Sequence, residues 1–371
     1  MYRPTVAEID LAAIRDNLKA IRACISPRTQ VIGVVKADAY GHGAARVAVL
    51  LEQEHVPLLA VATPDEAVEL REAGVMTEIL VLGHAPPDFV PFAMSNNVTL
   101  STDAHATTAI YAAAAGAGRV RLHYKVDTGM GRAGVLADTA IEEIRQSSAL
   151  PNVDIVGLYS HLASAESDLD FTARQTKRFA DIVRDVRAGG LRPAMVHLAN
   201  SAGIFTVHSP TLDGVRPGIL LYGLPPAASL ARACSVRPSL SLRTRLEVVK
   251  ALPTGHGIGY GRTFVTERPT SMGLIPIGYA DGYPRSLSNK ACVIVRGHFA
   301  SVVGRVSMDV VAIDLTDVPA AVPGDPVTLM GEQDGLRITA VQLAELADTI
   351  AYEIITGVSK RVPRVYIDRV P

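Results

Sequence analysis

Through the first two-thirds of the chain, apolar residues fall into two alternating rhythms. Short, nearly continuous apolar runs predict strands at Thr5–Ile9, Val31–Lys36, Leu58–Ala62, Glu78–Gly83, Val98–Ser101, Arg119–Asp127, Val153–His161, Met195–Ala199 and Leu212–Arg216. Between them, apolar positions recur every three or four residues, as Leu11, Ile14, Leu18 and Ile21 do within Leu11–Cys24, and predict helices with one buried face. Pro64-Asp65-Glu66-Ala67 opens another helix, with proline and acids where helix starts favour them. Asp103–Ala117, Ala137–Ser147 and Leu169–Ala188 continue the series. Strand–helix alternation over about eight units predicts an α/β fold, a TIM-like (β/α)8 barrel, more than an open sheet. No Gly-x-Gly-x-x-Gly follows the first strand, which argues against a dinucleotide-binding fold.

Near Pro225–Ser235 the rhythm changes, and small residues with two prolines suggest a connection. Beyond it, β-type runs at Ser241–Ala251, Met272–Ile277, Cys292–Arg296, Val310–Leu315, Val327–Leu329 and Arg364–Ile367 are punctuated by turn residues. One helix is expected at Thr339–Ala347. The chain therefore reads as a barrel domain over residues 1–235 and a mostly β domain over 236–371. The first strand is a candidate to pack with the C-terminal domain.

Composition narrows the function. The 371 residues carry 36 Lys+Arg against 37 Asp+Glu, with no run of like charge, which argues against nucleic acid or an anionic membrane as a main partner. Cys24, Cys234 and Cys292 are widely spaced and show no metal-ligand pattern. The glycine–histidine stretches Gly41-His42-Gly43 and Gly255-His256-Gly257 lack acids at ligand spacing, so no catalytic metal is expected. Scattered cysteines suit a reducing cytosol. The first residues carry no signal-peptide pattern. Ala106–Gly118, the longest weakly polar stretch, is too short to span a bilayer. A cytoplasmic protein is the expectation.

The chemistry concentrates at strand ends. In a strand–helix barrel the active site lies at the C-terminal ends of the strands. Lys36 closes the run Val31-Ile32-Gly33-Val34-Val35, where apolar walls disfavour its charged form and leave a nucleophilic amine. Such a lysine can form a Schiff base with an aldehyde, pyridoxal phosphate being the common partner. Lys125 and Asp127 end another run and lead into Thr128-Gly129-Met130-Gly131-Arg132. His161 ends a third, Asn200 and Ser201 follow a fourth, and Arg216 ends a fifth, before Pro217-Gly218-Ile219. Taken alone, His161 reads as a packed histidine and Arg132 as a solvated loop charge. Ser201 at a helix start, with backbone N–H groups at Gly218 and Ile219, would suit an anion. In the second domain, Gly257-Ile258-Gly259-Tyr260-Gly261-Arg262 presents a tyrosine between glycines, and Tyr279 follows in Gly278-Tyr279-Ala280-Asp281-Gly282-Tyr283.

These pieces resemble the alanine racemase family. The resemblance rests on Val35-Lys36-Ala37-Asp38-Ala39-Tyr40-Gly41-His42-Gly43, Lys125 to Arg132, Ser160-His161-Leu162-Ala163, Ala199-Asn200-Ser201-Ala202, Val215 to Gly223, Gly259-Tyr260-Gly261, Ile277 to Tyr283, Gly304 to Asp309 and Arg361-Val362-Pro363-Arg364. They stand in the family's order and span nearly the whole chain. Ser307 stands where many relatives have cysteine, and Leu162 where many have phenylalanine.

The resemblance implies a pyridoxal-phosphate enzyme that interconverts L- and D-alanine and supplies D-alanine for peptidoglycan. It implies that Lys36 carries the cofactor and is one proton-transfer base. Tyr260 is the other base, reaching in from a partner subunit of a homodimer. It implies that Tyr40, Ser201, Gly218, Ile219 and Tyr352 hold the phosphate, with Asn200 beside them, and that Arg216 faces the pyridine nitrogen. Arg132 and the partner's backbone at Met308 would hold the substrate carboxylate. His161 would support Arg216 and Tyr260, and Tyr279 would line the entrance. Lys125 matches a position that is carbamylated in some relatives. A serine or broad-specificity racemase, a barrel-type amino-acid decarboxylase and a non-catalytic cofactor-binding protein are the alternatives.

Overall fold

A computed structural model describes residues 2–207, 209 and 211–368. The chain divides into two compact units. One holds residues 14–39 and 43–237; the other holds 1–13, 40–42 and 238–371.

The first unit is a closed barrel of parallel strands. Gln30–Val34, Leu58–Val61, Glu78–Val81, Val98–Thr102, Val120–Asp127, Val153–Tyr159, Met195–His197 and Gly214–Val215 pair in chain order. The last then pairs with the first, so the sheet has no edge there. Several strands are buried along their whole length, as Leu58–Val61 is, the pattern of a sheet covered on both faces. Helices return the chain between strands, and Leu169–Ala188 is the longest. Its start is capped by Asp168, whose carboxylate accepts the Phe171 N–H at 2.8 Å. The Pro64–Glu72 helix begins with a capping box between Thr63 and Glu66.

The second unit is sheet-rich. Val6–Asp10 lies between Leu240–Arg245, antiparallel, and Arg364–Ile367, parallel. Its sequence explains why it sits in this sheet. Ala7 and Ile9 are buried while Val6, Glu8 and Asp10 are partly exposed, an alternation that suits a one-sided sheet and not a barrel covered on both faces. A three-stranded sheet joins Val248–Leu252, Thr270–Ile275 and Val311–Asp314. A short hairpin, Gly257–Ile258 with Phe264–Val265, projects beside it. Leu252, Ile258, Met272 and Val303 form a buried cluster, with Phe264 packed against it, and anchor the hairpin's base.

Candidate active site

The strand carrying Lys36 ends at Val34, two residues earlier than its apolar run suggested. Lys36 instead starts a tight turn, Lys36–Gly41. Ala37, Asp38, Ala39 and Tyr40 all have φ of +53° to +54°, so the turn is left-handed. Each such residue costs roughly 1–2 kcal/mol against a right-handed one. Within the barrel unit, several bonds hold it. The Glu66 carboxylate accepts the Ala37 N–H at 2.6 Å and the Ala62 N–H at 2.6 Å. Asp38 Oδ1 accepts the Ala44 N–H at 2.7 Å, and the Ala39 N–H donates to the Val35 carbonyl. Lys36, at the start of this turn, is half-buried. Burial lowers its pKa first, the nearby Arg132 charge lowers it further, and Glu66 opposes both.

The strand Val120–Asp127 positions the next group. Asp127 accepts the N–H groups of Gly129 and Met130 at 2.8 Å and of Gly131 at 2.9 Å. This anion-capped turn fixes the loop that delivers Arg132. Lys125 lies 5.6 Å from the Tyr159 ring centre. Burial, then Arg132 and Arg216, lower its pKa to about 8. It also lines a cavity of about 80 Å³ with His84, Ser101, Thr102 and Asp103.

Arg216 is buried at 4% exposure. Its Nη2 donates to the carbonyls of Ser160 at 2.7 Å and Leu198 at 3.0 Å, and to His161 Nδ1 at 3.1 Å. Its Nη1 donates to His197 Nδ1 at 2.5 Å. Arginine only donates, so His197 keeps its proton on Nε2, which then donates to His123 Nδ1 at 2.9 Å. Tyr159 stacks on His197 with ring centres 4.9 Å apart and planes 8° apart. Burial pushes the His123 pKa down to about 3, and lowers His197 too. The His123 ring fits because the facing residue is Gly157: a Cβ there would lie 2.3–2.4 Å from its ring atoms. A register shift at Leu122/His123 sits at the same place.

His161 records the charge of the site. Burial lowers its pKa, and so do Arg216, Arg132, Lys125 and Lys36. A neutral imidazole is thus surrounded by four basic side chains, an environment built for anions. Ser201 Oγ accepts the N–H groups of Gly218 at 3.0 Å and Leu220 at 3.4 Å. The sequence places Ser201 at a helix start, but the helix Gly203–Thr206 begins after Ala202. The Asn200 Oδ1 accepts the Gly203 N–H at 2.9 Å.

The remaining candidates belong to the sheet-rich unit. Tyr40 and Tyr352 face each other with ring centres 6.2 Å apart, and burial raises the Tyr40 pKa. Tyr260 stands at the hairpin tip, 72% exposed, between Gly259 and Gly261, whose φ values of +68° and +71° favour glycine. Met308 and Tyr279 are also exposed. Their loops are laced together: the Tyr279 N–H donates to the Ser307 carbonyl at 3.0 Å and the Ala280 N–H to the Met308 carbonyl at 3.1 Å.

A family model described as the alanine racemase N-terminal domain matches residues 9–226, and one for the C-terminal domain matches residues 239–366. The chain belongs to the alanine racemase family. Alanine racemase 2 of Caldanaerobacter subterraneus subsp. tengcongensis is 41% identical over 371 residues, which cover 99% of this chain and 96% of that one. The Desulfovibrio desulfuricans alanine racemase is 42% identical over 369 residues, with 99% of each chain covered. The solved alanine racemase of Clostridium difficile 630 superposes with a TM-score of 0.94 at 33% identity, covering 99% of this chain and 97% of that one. The Bacillus anthracis alanine racemase, solved with bound L-Ala-P, gives 0.92 at 35% identity, with 99% and 96% covered.

Glu66, His123 and His197 take part in the site without belonging to any of its sequence motifs. In the sequence Glu66 stands only as a helix-start acid. The two histidines lie inside apolar strands, where a polar side chain buried on both sides was the available signal.

Proposed function

We propose that this alanine racemase family member interconverts L- and D-alanine, with pyridoxal phosphate held at the mouth of the barrel. The single observation that carries the reading is the buried Arg216 held by His161 and His197 at the strand ends, with the charges of Lys36 and Arg132 close enough to act on the same imidazole. Such a pocket suits a doubly anionic occupant: a phosphorylated cofactor and an amino-acid carboxylate. The donor set agrees with that cofactor, since a pKa-lowered lysine amine and a serine hydroxyl backed by the Gly218 and Leu220 N–H groups are present together. Bound there, pyridoxal phosphate supplies an aldehyde for Lys36 and an electron-withdrawing ring that acidifies the substrate's Cα–H.

The chain's own residues do the rest. The neutral Lys36 amine takes or returns a proton on one face of the α-carbon, and Tyr260 from a second copy does so on the other. Fixed bases on opposite faces invert the centre without turning the substrate. Arg132 holds the carboxylate, aided by the partner's backbone at Met308. Arg216 would lie opposite the ring nitrogen of that cofactor and, because it keeps its protons, would leave the nitrogen unprotonated. His161 and His197 hold Arg216 in place. Tyr40, Ser201, Gly218, Ile219, Tyr352 and Asn200 would hold the phosphate, and Tyr279 would line the approach. Lys125 captures carbon dioxide as a carbamate, releasing a proton, and the resulting anion orients Arg132. Exposure of Tyr260 and Met308 supports the shared-site homodimer.

The test is a chiral assay on purified protein with pyridoxal phosphate, fed L-alanine in deuterated water. The reading expects D-alanine with deuterium at the α-carbon, and loss of both in Lys36→Ala. Carbon dioxide release in place of D-alanine would replace it with a decarboxylase. Faster turnover of L-serine in the same assay would move the substrate class. Among the described helices, none is long and apolar enough to cross a membrane.

A further inference from the structure

Two cysteines outside the site stand together. Cys24 follows the helix Leu11–Ala23 and is exposed, while Cys234 lies in the connector near its end and is buried. Both belong to the barrel unit. The connector is clamped to the helix by the fully buried Asn17. Asn17 Oδ1 accepts the Arg237 N–H at 2.8 Å, and its Nδ2 donates back to the Arg237 carbonyl at 2.9 Å and to the Leu221 carbonyl at 3.1 Å.

From that clamp the two segments run antiparallel. Seven helical residues from Asn17 to Cys24 rise about 10 Å. Three connector residues from Arg237 back to Cys234 span at most about 10 Å. The two segments meet there: the Cys24 thiol donates to the carbonyl of Ala233, the neighbour of Cys234, at 3.8 Å. Cys24 is also close enough to raise the Cys234 pKa, after burial has raised it.

We propose that Cys24 and Cys234 form an oxidisable dithiol, a modification site that a peroxide converts to an intrachain disulfide and a thiol reductant restores. Exposed Cys24 reacts first: its thiolate attacks a peroxide oxygen, the O–O bond breaks, and a sulfenic acid and hydroxide result. The Cys234 sulfur then attacks the sulfenic sulfur. The S–S bond forms, the S–O bond breaks, and the departing hydroxide takes the Cys234 proton as water. Peroxide is reduced by two electrons and the thiol pair is oxidised by two. Burial pushes the Cys234 thiol up to about 12, so this second step is the slow one and quickens as pH rises. The bond closes a ring of roughly 210 residues that contains nearly the whole barrel, which restrains the unfolded chain strongly. Cys292 lies in the other unit and serves as an internal control.

The experiment exposes holoenzyme to hydrogen peroxide, blocks remaining thiols with N-ethylmaleimide, and maps peptides by mass spectrometry without reduction. A Cys24–Cys234 cross-linked peptide is expected, absent in Cys24→Ser and removed by dithiothreitol. The oxidised protein should melt on the order of 10 °C above the reduced one, and Cys24→Ser should show no such rise. Oxidation of Cys24 to sulfinic acid with Cys234 still blocked by N-ethylmaleimide would overturn the proposal. So would a cross-link that runs between chains or through Cys292, or an equal rise in Cys24→Ser.

Discussion

Replacing His197 with leucine tests how the barrel holds its buried arginine. The imidazole accepts from Arg216 Nη1 at 2.5 Å and donates to His123 at 2.9 Å. Leucine fills similar volume but accepts nothing. Arg216 keeps its bonds to Ser160, Leu198 and His161, yet one charged donor is stranded in a site of 4% exposure. Removing a partner of a charged buried donor costs about 2–3 kcal/mol. If that cost falls on the position of the guanidinium in the working site, turnover drops roughly 30- to 150-fold. The assay is a chiral rate measurement beside a fluorescence titration of pyridoxal phosphate into apoprotein. His197→Leu should lower kcat and weaken cofactor binding while KM for alanine changes little, because Arg132 and its loop are untouched. His197→Asn, whose Oδ1 replaces the accepting Nδ1, should recover much of the loss. Nitrogen NMR on the apoprotein should show His197 neutral and protonated on Nε2, with its titration displaced well below the ordinary histidine range. A folded His197→Leu protein with unchanged kcat and cofactor affinity would refute this account of Arg216.

The remaining expectations are briefer. Asp127→Ala removes the acceptor for three backbone N–H groups of the Arg132 loop; KM for alanine should rise on the order of tenfold or more with kcat less affected, read from initial rates. Glu66→Ala frees the Ala37 and Ala62 N–H groups and loosens a left-handed turn; urea unfolding should show a loss of about 2–3 kcal/mol, and capture of pyridoxal phosphate by Lys36 should slow. Lys125, with its pKa lowered to about 8, is mostly protonated below that pH and mostly neutral above it. Carbamate signal from carbon-13 bicarbonate should therefore fall steeply between pH 8 and pH 6, because protonation removes the amine and acid reverses the capture, and it should vanish in Lys125→Arg. By linkage, the folded state binds fewer protons here than the unfolded chain between about pH 8 and 10.5, so carbamate-free protein should gain stability as pH rises through that window.

Where local chemistry decides, the sequence was readable. The 20-residue helix Leu169–Ala188 follows from its spacing and its Asp168 cap. The exposed Tyr260 tip follows from glycines that accept positive φ. The alternation in Val6–Asp10 already differed from the continuous burial of the barrel strands. What stayed hidden is set at long range. Nothing local favours a left-handed turn through Ala37, Asp38, Ala39 and Tyr40; a carboxylate at Glu66, far along the chain, helps hold it. His123 and His197 sit within runs read only for their apolar partners, and their pairing depends on a glycine at 157 that leaves room for a ring. The Ser201 hydroxyl is taken by the Gly218 and Leu220 N–H groups, and the Asn200 Oδ1 is what accepts the Gly203 N–H just before the short helix.

The shared two-base site is tested most directly by mixing two dead variants. Lys36→Ala and Tyr260→Phe, each expected to be inactive alone, are combined, unfolded together and refolded with pyridoxal phosphate, then assayed for D-alanine. If each site joins Lys36 of one chain to Tyr260 of its partner, half the dimers are mixed and each carries one intact site, so about a quarter of wild-type activity should return. A refolded mixture that contains mixed dimers and stays inactive would contradict it.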